Sequence, residues 1–261
     1  MGRKGKIIAI FIAYNAAKTL VNFYKEFPKH LVDEIILVDD ASKDDTFKLA
    51  KNLGIISYQN PINLGYGGNM KKTLAIALSR GGDILIDIHP DGEYNPSAIP
   101  IALREIDQGA KLVLGNRFTS INKLLKSGMY PWKLIPITIL NWIGKKILRV
   151  KVDDLHQGFR VYTKNLLKQI SFEENSNNYL FSFELIAQAI YNNIKIAQVP
   201  VETNYSGKKR GASLKHSIKY SLGTFIILLL FILAKLGLKN KLFREPSQDL
   251  ETRISKLIQS I

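Results

Sequence analysis

Short apolar segments alternate with amphipathic helical segments through the first half of the chain. The predicted strands are residues 6–13, 34–38, 55–58, 83–88 and 112–114, and the predicted helices are residues 17–27, 44–52, 69–79 and 96–108. Strands that alternate with helices in this way form a mainly parallel sheet with helices on its faces. The chain is therefore predicted to be an α/β protein, with ligands bound beyond the carboxyl ends of its strands.

The second half begins with a less regular segment. Residues 120–150 carry many large apolar side chains, including both tryptophans of the chain, and then several basic residues. The segment fits an ordinary core helix or a helix that receives a lipid substrate. A helix around residues 183–191 and a strand over residues 195–201 are predicted next.

Positive charge is concentrated near the C-terminal end. The formal net charge is +15, and residues 207–244 contain nine Lys or Arg and no Asp or Glu. The basic residues flank an apolar run, whereas nucleic-acid-binding proteins more often interleave basic and aromatic residues on a polar face. The pattern favours an anionic membrane surface as partner and argues against nucleic acid.

Three structures are open for the apolar run at residues 220–238: a buried core helix, a monotopic or re-entrant membrane helix, and a membrane span. Its 15 uncharged residues, 220–234, would make a helix of about 22 Å, shorter than the roughly 30 Å hydrocarbon core of a bilayer. We predict a first domain over residues 1–215, then a basic, membrane-associating helix and an amphipathic C-terminal helix over 216–261. The last helix carries an apolar face suited to docking, self-association or the membrane interface: Leu250, Ile254, Leu257, Ile258 and Ile261.

Candidate metal ligands follow the fourth predicted strand. His89, Asp91 and Glu93 lie in the segment His-Pro-Asp-Gly-Glu-Tyr-Asn-Pro at residues 89–96. A divalent cation bound to a diphosphate needs few protein ligands, because phosphate oxygens and water complete its coordination. The chain has no cysteine, which excludes thiolate ligands and disulfides and fits a reducing compartment. The alternative interpretation is a solvated polar turn.

The second predicted strand also ends in acids. Asp39 and Asp40 follow the apolar segment 35–38. Their carboxylates could accept hydrogen bonds from a nucleobase edge or from ribose hydroxyls. The segment from Asp39 to Asp45 could equally be the N-cap region of the following helix, and the two roles are compatible.

Six motifs occur along the chain: Ala-Tyr-Asn at 13–15, Val-Asp-Asp-Ala-Ser-Lys-Asp-Asp-Thr at 38–46, Asn-Leu-Gly at 63–65, His-Pro-Asp-Gly-Glu-Tyr-Asn-Pro at 89–96, Gly-Asn-Arg at 115–117 and Asp-Leu-His-Gln-Gly-Phe-Arg at 154–160. This is the order found in family 2 glycosyltransferases, and the chain resembles the dolichyl- and polyprenyl-phosphate sugar transferases of that family. Residues 199–201, Tyr205 and residues 212–214 extend the resemblance, which covers roughly 6–235. It implies a GT-A fold, a nucleotide-sugar donor and one Mg²⁺ or Mn²⁺.

The resemblance also implies roles for individual residues. Asp91 matches the second acid of the family's Asp-x-Asp motif, and Glu93 falls where many members have glutamine. Arg117 and Arg160 match basic positions that face phosphates. The residues expected to line the nucleotide site are Ala13, Tyr14, Asn15, Asp39, Asp40, Asn63, His89 and Pro90.

Two departures from the family pattern affect these roles. Ala13 and Ala16 stand where proline and glutamate are usual, which removes one potential polar contact near the nucleotide. His89 replaces the first acid of Asp-x-Asp. Imidazole binds Mn²⁺ more readily than Mg²⁺, and only when it is neutral, so acid should weaken metal binding.

The acceptor decides which groups catalysis requires. A polyprenyl phosphate is already anionic, so it can attack without a strong base while the metal and arginines stabilise the departing diphosphate. An alcohol acceptor would need a general base, for which Asp154 is the candidate. Asp154 could instead organise Arg160 or the turn at Gly158.

The expected activity is inverting sugar transfer from a UDP- or GDP-sugar to a polyprenyl phosphate at the cytoplasmic face of a membrane. A basic run would hold the acceptor phosphate or anionic lipid, unless it is only a solvated surface: Lys208, Lys209, Arg210, Lys215 and Lys219. One alternative is transfer to a hydroxyl of a membrane glycan or lipid. Another is a non-catalytic basic module that binds lipid or nucleic acid. A homo-oligomer or an integral membrane partner is also compatible with the sequence.

Overall fold

The computed structural model describes residues 5–120, 124, 128–129, 131–205, 214–238 and 240–259. Within these residues, seven strands form one sheet in the spatial order β3-β2-β1-β4-β6-β5-β7. The strands are β1 Ile7–Ala13, β2 Glu34–Asp39, β3 Ile56–Gln59, β4 Ile84–Asp87, β5 Leu112–Asn116, β6 Arg160–Thr163 and β7 Ile196–Pro200. All neighbouring pairs are parallel except those of β6, which runs antiparallel to both β4 and β5. The predicted mixed, mainly parallel α/β sheet is confirmed.

Helices cover both faces of the sheet. They are α1 Ala17–Glu26, α2 Thr46–Asn52, α3 Gly65–Ser79, α4 Ile99–Asp107, α5 Pro131–Leu148, α6 Lys164–Gln169, α7 Phe181–Tyr191, α8 Leu214–Lys235 and α9 Leu250–Gln259. Alternate residues of the central strands enter two apolar clusters, one that includes α3 and α7 and one that includes α1 and α4. Because both faces are buried, the strands read as continuous apolar runs rather than as alternating ones.

Two predicted helices differ from the structure by more than two residues or by a break. The segment 96–108 is divided into a 3₁₀ turn, Pro96–Ala98, and α4. Helix α3 begins at Gly65, four residues before its predicted start at Asn69. The glycines at its start have low helix propensity, but the backbone N–H groups of Leu64 and Gly65 donate to the Asp40 carboxylate at 2.8 and 3.0 Å. A tertiary contact therefore stabilises this first turn.

The apolar helix α8 is partly buried. One face, with Ile227, Leu228 and Phe231, enters the core, whereas Leu222 and Ile226 are about 60% exposed. The segment His216–Lys235 has a mean hydropathy of 2.0 and is 33% buried, and by length and composition it could cross a membrane. Its exposed apolar face does not fit a wholly buried core helix.

The C-terminal helix α9 docks on the protein. Leu250 and Ile254 are buried in the core, and α9 packs along α3. Arg253 is also buried, where its guanidinium pairs with the Glu173 carboxylate at 2.6 Å. Of the three roles open for this apolar face, the buried positions of Leu250 and Ile254 correspond to docking. Ile261 lies outside the described residues. The division of the chain at residue 215 stays a prediction.

His156 ties the loop before β6 to α8. Its Nδ1 lies 2.8 Å from the Tyr220 hydroxyl, and its ring stacks on Phe183 with centroids 5.2 Å apart. Burial lowers the pKa of His156 from 6.5 to about 3, and the nearby charges of Arg117 and Arg160 act in the same direction. The imidazole is therefore neutral at physiological pH.

Acid should destabilise the fold through His156. The unfolded chain takes up a proton near pH 6.5 whereas the folded chain does not until about pH 3, so this residue's contribution is complete above pH 6.5 and is lost as the pH falls between these values. From pH 7 to pH 5 the wild type should lose about 2 kcal/mol more stability than His156→Asn, measured by urea unfolding. His30→Gln, at an exposed site, should keep the wild-type dependence. Equal losses in all three proteins would contradict this role.

Helix α3 contacts the loop before α7 through its backbone. The N–H of Gly67 donates to the carbonyl of Asn177 at 2.9 Å, and a Cβ added at Gly67 would lie 2.1 Å from the carbonyl oxygen of Ser176. Only glycine permits this approach.

Gly67→Ala should lower the free energy of unfolding by about 1–3 kcal/mol, because rigid backbone blocks the new methyl group. Gly144→Ala is the matched control within a helix. There the nearest obstacle is the mobile end of Leu155, so higher helix propensity should keep the loss below about 1 kcal/mol. Urea unfolding of both variants checks the prediction, and equal losses would refute it.

Candidate active site

The predicted site residues meet at one edge of the sheet. The carboxyl ends of β1, β2, β4 and β5 lie there, and the antiparallel β6 begins there. The register pairs Ala13 with Asp39 and pairs Asp87 with Arg160. Helix α3 connects the two halves, because Gly65 contacts Asp40 while the next residue, Tyr66, contacts His89 and Arg160.

The nucleotide half contains a hydrogen-bonded loop after β2. Asp39 accepts bonds from the N–H of Ser42 at 3.1 Å and from Gln59 Nε2 at 2.9 Å, and it also binds the Ser42 hydroxyl. Asn15, with φ +53°, accepts from the N–H of Lys43 at 2.9 Å. The Asp39 carboxylate therefore holds this loop through hydrogen bonds, and its contact with a nucleotide stays a prediction.

Other predicted nucleotide contacts surround this loop. Asp40 is buried and accepts from Asn60 Nδ2 at 2.8 Å as well as from the first turn of α3, so the helix that it stabilises is α3 and not the following helix α2. Asn63 is exposed and accepts from the N–H of Gly65 at 3.1 Å. Tyr14 is 51% exposed, whereas Ala13 and Pro90 are buried. Tyr14, Asn15 and Asn63 are thus the exposed members of the predicted set.

The predicted metal ligands follow β4. Asp91 Oδ1 accepts from the N–H of Glu93 at 2.8 Å. Burial lowers the pKa of His89, but the hydrogen bond and charge of Asp87, with the charge of Asp91, raise it more, so the net pKa lies above the usual value. Burial and the charge of Asp91 raise the pKa of Glu93, whose carboxyl hydrogen bonds with Tyr205.

No group of three His, Asp or Glu residues in the described part of the chain is arranged to hold a metal by itself. His89, Asp91 and Glu93 thus do not form a preassembled three-ligand centre. The donor set still fits a cation bound jointly with a diphosphate, since an imidazole nitrogen and carboxylate oxygens are suitable ligands and the phosphate oxygens complete the coordination.

Arg117 and Asp154 form a buried bidentate ion pair. Arg117 Nε and Nη2 donate to the two carboxylate oxygens of Asp154 at 2.7 and 2.9 Å. Nη2 also donates to the carbonyl of His156 at 2.9 Å, and Nη1 donates to the Tyr205 hydroxyl at 3.0 Å. The residue that Asp154 organises is therefore Arg117 rather than Arg160.

The pKa values of Arg117 and of its neighbour Tyr205 are both raised in this cluster. The pKa of Arg117 is well above its usual value, because the charge of Asp154 outweighs the effect of burial. Burial raises the pKa of Tyr205 to about 12, so its hydroxyl stays protonated and joins Arg117 to Glu93. The geometry favours a positioning role for Asp154.

Arg160 lies in a second buried cluster. Its Nη1 is 3.5 Å from Asp87 Oδ2 and 3.4 Å from the Tyr66 hydroxyl, and Nη2 donates to the carbonyl of Gln157. The attraction of Tyr66, Tyr162 and Asp87 outweighs burial and raises the pKa of Arg160. The two predicted phosphate-facing arginines are therefore both buried and charged.

Four residues of the site were not assigned a role from the sequence: Tyr66, Asp87, Tyr94 and Tyr205. Asp87 had a signal, since it is an acid within the apolar segment that becomes β4. Tyr94 had no such signal, because its role depends on the distant Gly158, whose N–H donates to the Tyr94 hydroxyl at 2.7 Å.

Of the predicted basic run, Lys219 is exposed. Lys208, Lys209 and Arg210 lie outside the described residues, as do residues 212–213.

Two curated relatives are similar over most of their length. A UDP-N-acetylglucosamine–dolichyl-phosphate N-acetylglucosaminyltransferase of Methanococcus voltae is 28% identical over 220 residues, which span 77% of this chain and 87% of the relative. A polyprenol monophosphomannose synthase of Mycolicibacterium smegmatis is 26% identical over 218 residues, which span 80% of this chain and 78% of the relative.

A solved structure shares the fold. Glucosyl-3-phosphoglycerate synthase of Mycobacterium tuberculosis, crystallised with Mn²⁺, UDP and glucosyl-3-phosphoglycerate, superposes with a TM-score of 0.66 at 17% identity, covering 90% of this chain and 81% of that one. The GT-A fold is confirmed by this likeness and by the sheet. The model of glycosyl transferase family 2 matches residues 8–174. This protein is therefore a glycosyltransferase and belongs to family 2.

Proposed function

We propose that this enzyme transfers a sugar from a UDP- or GDP-sugar to a polyprenyl phosphate, with inversion, at the cytoplasmic face of a membrane. The observation that carries this proposal is the link, through His156, between the apolar helix and the buried Arg117. Tyr220 of α8 bonds to His156, whose carbonyl accepts from Arg117. An acceptor with an anionic head and an apolar tail matches this juxtaposition, the head near Arg117 and the tail along α8.

Helix α5 supports the same acceptor. It packs on α8, and it exposes Trp132, Ile135, Ile139 and Trp142. Large exposed apolar patches are rare on soluble monomers and mark membrane or ligand contacts. Of the two roles open for residues 120–150, this surface favours contact with lipid. The two curated relatives, named for transfer to dolichyl phosphate and for polyprenol monophosphomannose synthesis, also support a lipid-phosphate acceptor.

Catalysis would follow from fixed charges. A phosphate oxygen of the acceptor attacks the anomeric carbon from the face opposite the nucleotide, the carbon–oxygen bond to the diphosphate breaks, and the configuration inverts. The phosphate is already ionised, so no side chain needs to remove a proton. Asp154 would hold Arg117 in place, and the buried charges of Arg117 and Arg160 would stabilise the departing nucleoside diphosphate.

The divalent cation would be held by His89 and Asp91 together with the diphosphate, with Glu93 close behind. It would supply positive charge that neutralises the leaving group. The synthase of similar fold was crystallised with Mn²⁺ and UDP, which supports the use of a divalent cation. The imidazole of His89 makes Mn²⁺ the better candidate than Mg²⁺.

Asp91→Asn should lower metal-dependent transfer by about 100–1,000-fold, as expected when a group that stabilises developing charge is removed. It should also abolish the Mn²⁺-dependent thermal shift with UDP or GDP. Asp107→Asn, at an exposed acid that ends α4, should leave both unchanged. Full metal-dependent transfer by Asp91→Asn would overturn the role of Asp91 at the metal.

Acceptor choice is tested with labelled UDP- and GDP-sugars, using vesicles that contain either a polyprenyl phosphate or the corresponding polyprenol. We expect a lipid-phosphate sugar from the polyprenyl phosphate and at least 100-fold less product from the polyprenol. The alcohol must lose a proton to react, and both oxygens of the candidate base, Asp154, are bonded to Arg117. NMR of the product should show inverted anomeric configuration. Transfer only to the alcohol or to a glycan hydroxyl would overturn the proposed acceptor.

A further inference from the structure

Asp87 faces the imidazole that replaces the family's usual acid. Asp87 Oδ1 lies 3.4 Å from His89 Nε2. Both atoms are buried, and neither has a hydrogen-bond partner elsewhere in the described residues. A buried carboxylate oxygen and a buried imidazole nitrogen that face each other are each other's available partner.

The Asp87 carboxylate is held from the neighbouring strand. Its Oδ2 accepts from the Tyr162 hydroxyl at 3.0 Å and lies 3.5 Å from Arg160 Nη1. The register of β4 and β6 places Asp87 directly opposite Arg160. Because Asp87 Oδ2 contacts Tyr162 and Arg160 of β6, the other oxygen, Oδ1, is the one that faces His89.

The imidazole is confined on another side by Tyr66. The two rings meet edge to face with centroids 5.7 Å apart. With Nε2 directed at Asp87, Nδ1 is the ring nitrogen left for another ligand. A metal-bound histidine commonly donates its second N–H to a carboxylate, which fixes the tautomer and the ring orientation.

We propose that Asp87 is a positioning residue that holds the proton on His89 Nε2 and so presents Nδ1 to the divalent cation. This proposal rests on the proposed function, since it concerns the same cation. A carboxylate at position 89 would need no such partner, because either of its oxygens can bind a metal. A histidine there has one free nitrogen only if the other is held protonated.

The test measures Mn²⁺ binding directly, by the electron paramagnetic resonance signal of free Mn²⁺ in the presence of UDP or GDP. Asp87→Asn should weaken Mn²⁺ binding by about 10–100-fold, the usual effect of removing the carboxylate behind a ligating histidine. Glu184→Gln is the matched control, because Glu184 is also a buried carboxyl but bonds Ser176. It should change Mn²⁺ affinity less than about twofold.

A double-mutant cycle separates positioning from general damage. In the His89→Asp background, Asp87→Asn should weaken Mn²⁺ binding less than about twofold, since no imidazole remains to be oriented. An equal loss in both backgrounds, or no loss in the wild-type background, would overturn the role of Asp87. A wild-type protein that binds no Mn²⁺ with either nucleotide would instead refute the proposed metal site.

A measurement on the unmodified side chain covers the case in which Asp87→Asn does not fold. Nitrogen-15 NMR of the wild-type protein at pH 8, with the His89 signal assigned from His89→Asp, should show Nε2 protonated and Nδ1 bare. Addition of Mg²⁺ and nucleotide should shift Nδ1. Protonation on Nδ1 would contradict the proposal.

Discussion

The ion pair between Arg117 and Asp154 joins the parts of the site that are distant in sequence. Arg117 follows β5, Asp154 precedes β6, and Tyr205 follows β7, yet the Arg117 guanidinium bonds to both of the others. Breaking a buried pair by removing one partner leaves an uncompensated charge, at a cost of about 3–5 kcal/mol. The loops at this end of the sheet are therefore fixed relative to one another. The proposed stabilisation of a departing diphosphate requires charges held in place in this way.

The antiparallel strand β6 has the second organising effect. In a wholly parallel sheet, the first residue of a strand lies at the amino edge, away from the ligand site. Because β6 is reversed, Arg160 starts at the carboxyl edge opposite Asp87. The same reversal places the preceding loop, with Asp154 and His156, beside Arg117 and the start of α8. One strand direction thus brings the two buried arginines and the apolar helix together.

Much of the fold was predictable, because burial on both faces of a sheet makes long apolar strands that are easily recognised. The strand β6 was not predicted, since its four residues, Arg-Val-Tyr-Thr, include a charged residue that is neutralised only by pairing with Asp87. The early start of α3 was also missed, because Asp40, 25 residues before Gly65, supplies its first hydrogen bonds. Local propensity contains no information about such distant partners.

The sequence by itself determined the family, the order of the motifs and the chemical types of the site residues, since these follow from residues close together in the chain. Only the tertiary structure decided which charge pairs with which. It assigned Asp154 to Arg117, Asp87 to Arg160 and His89, and His156 to Tyr220. These pairings depend on strand direction and register, because a buried ion pair or hydrogen bond forms only where the backbone lets the two side-chain atoms approach within about 3.5 Å.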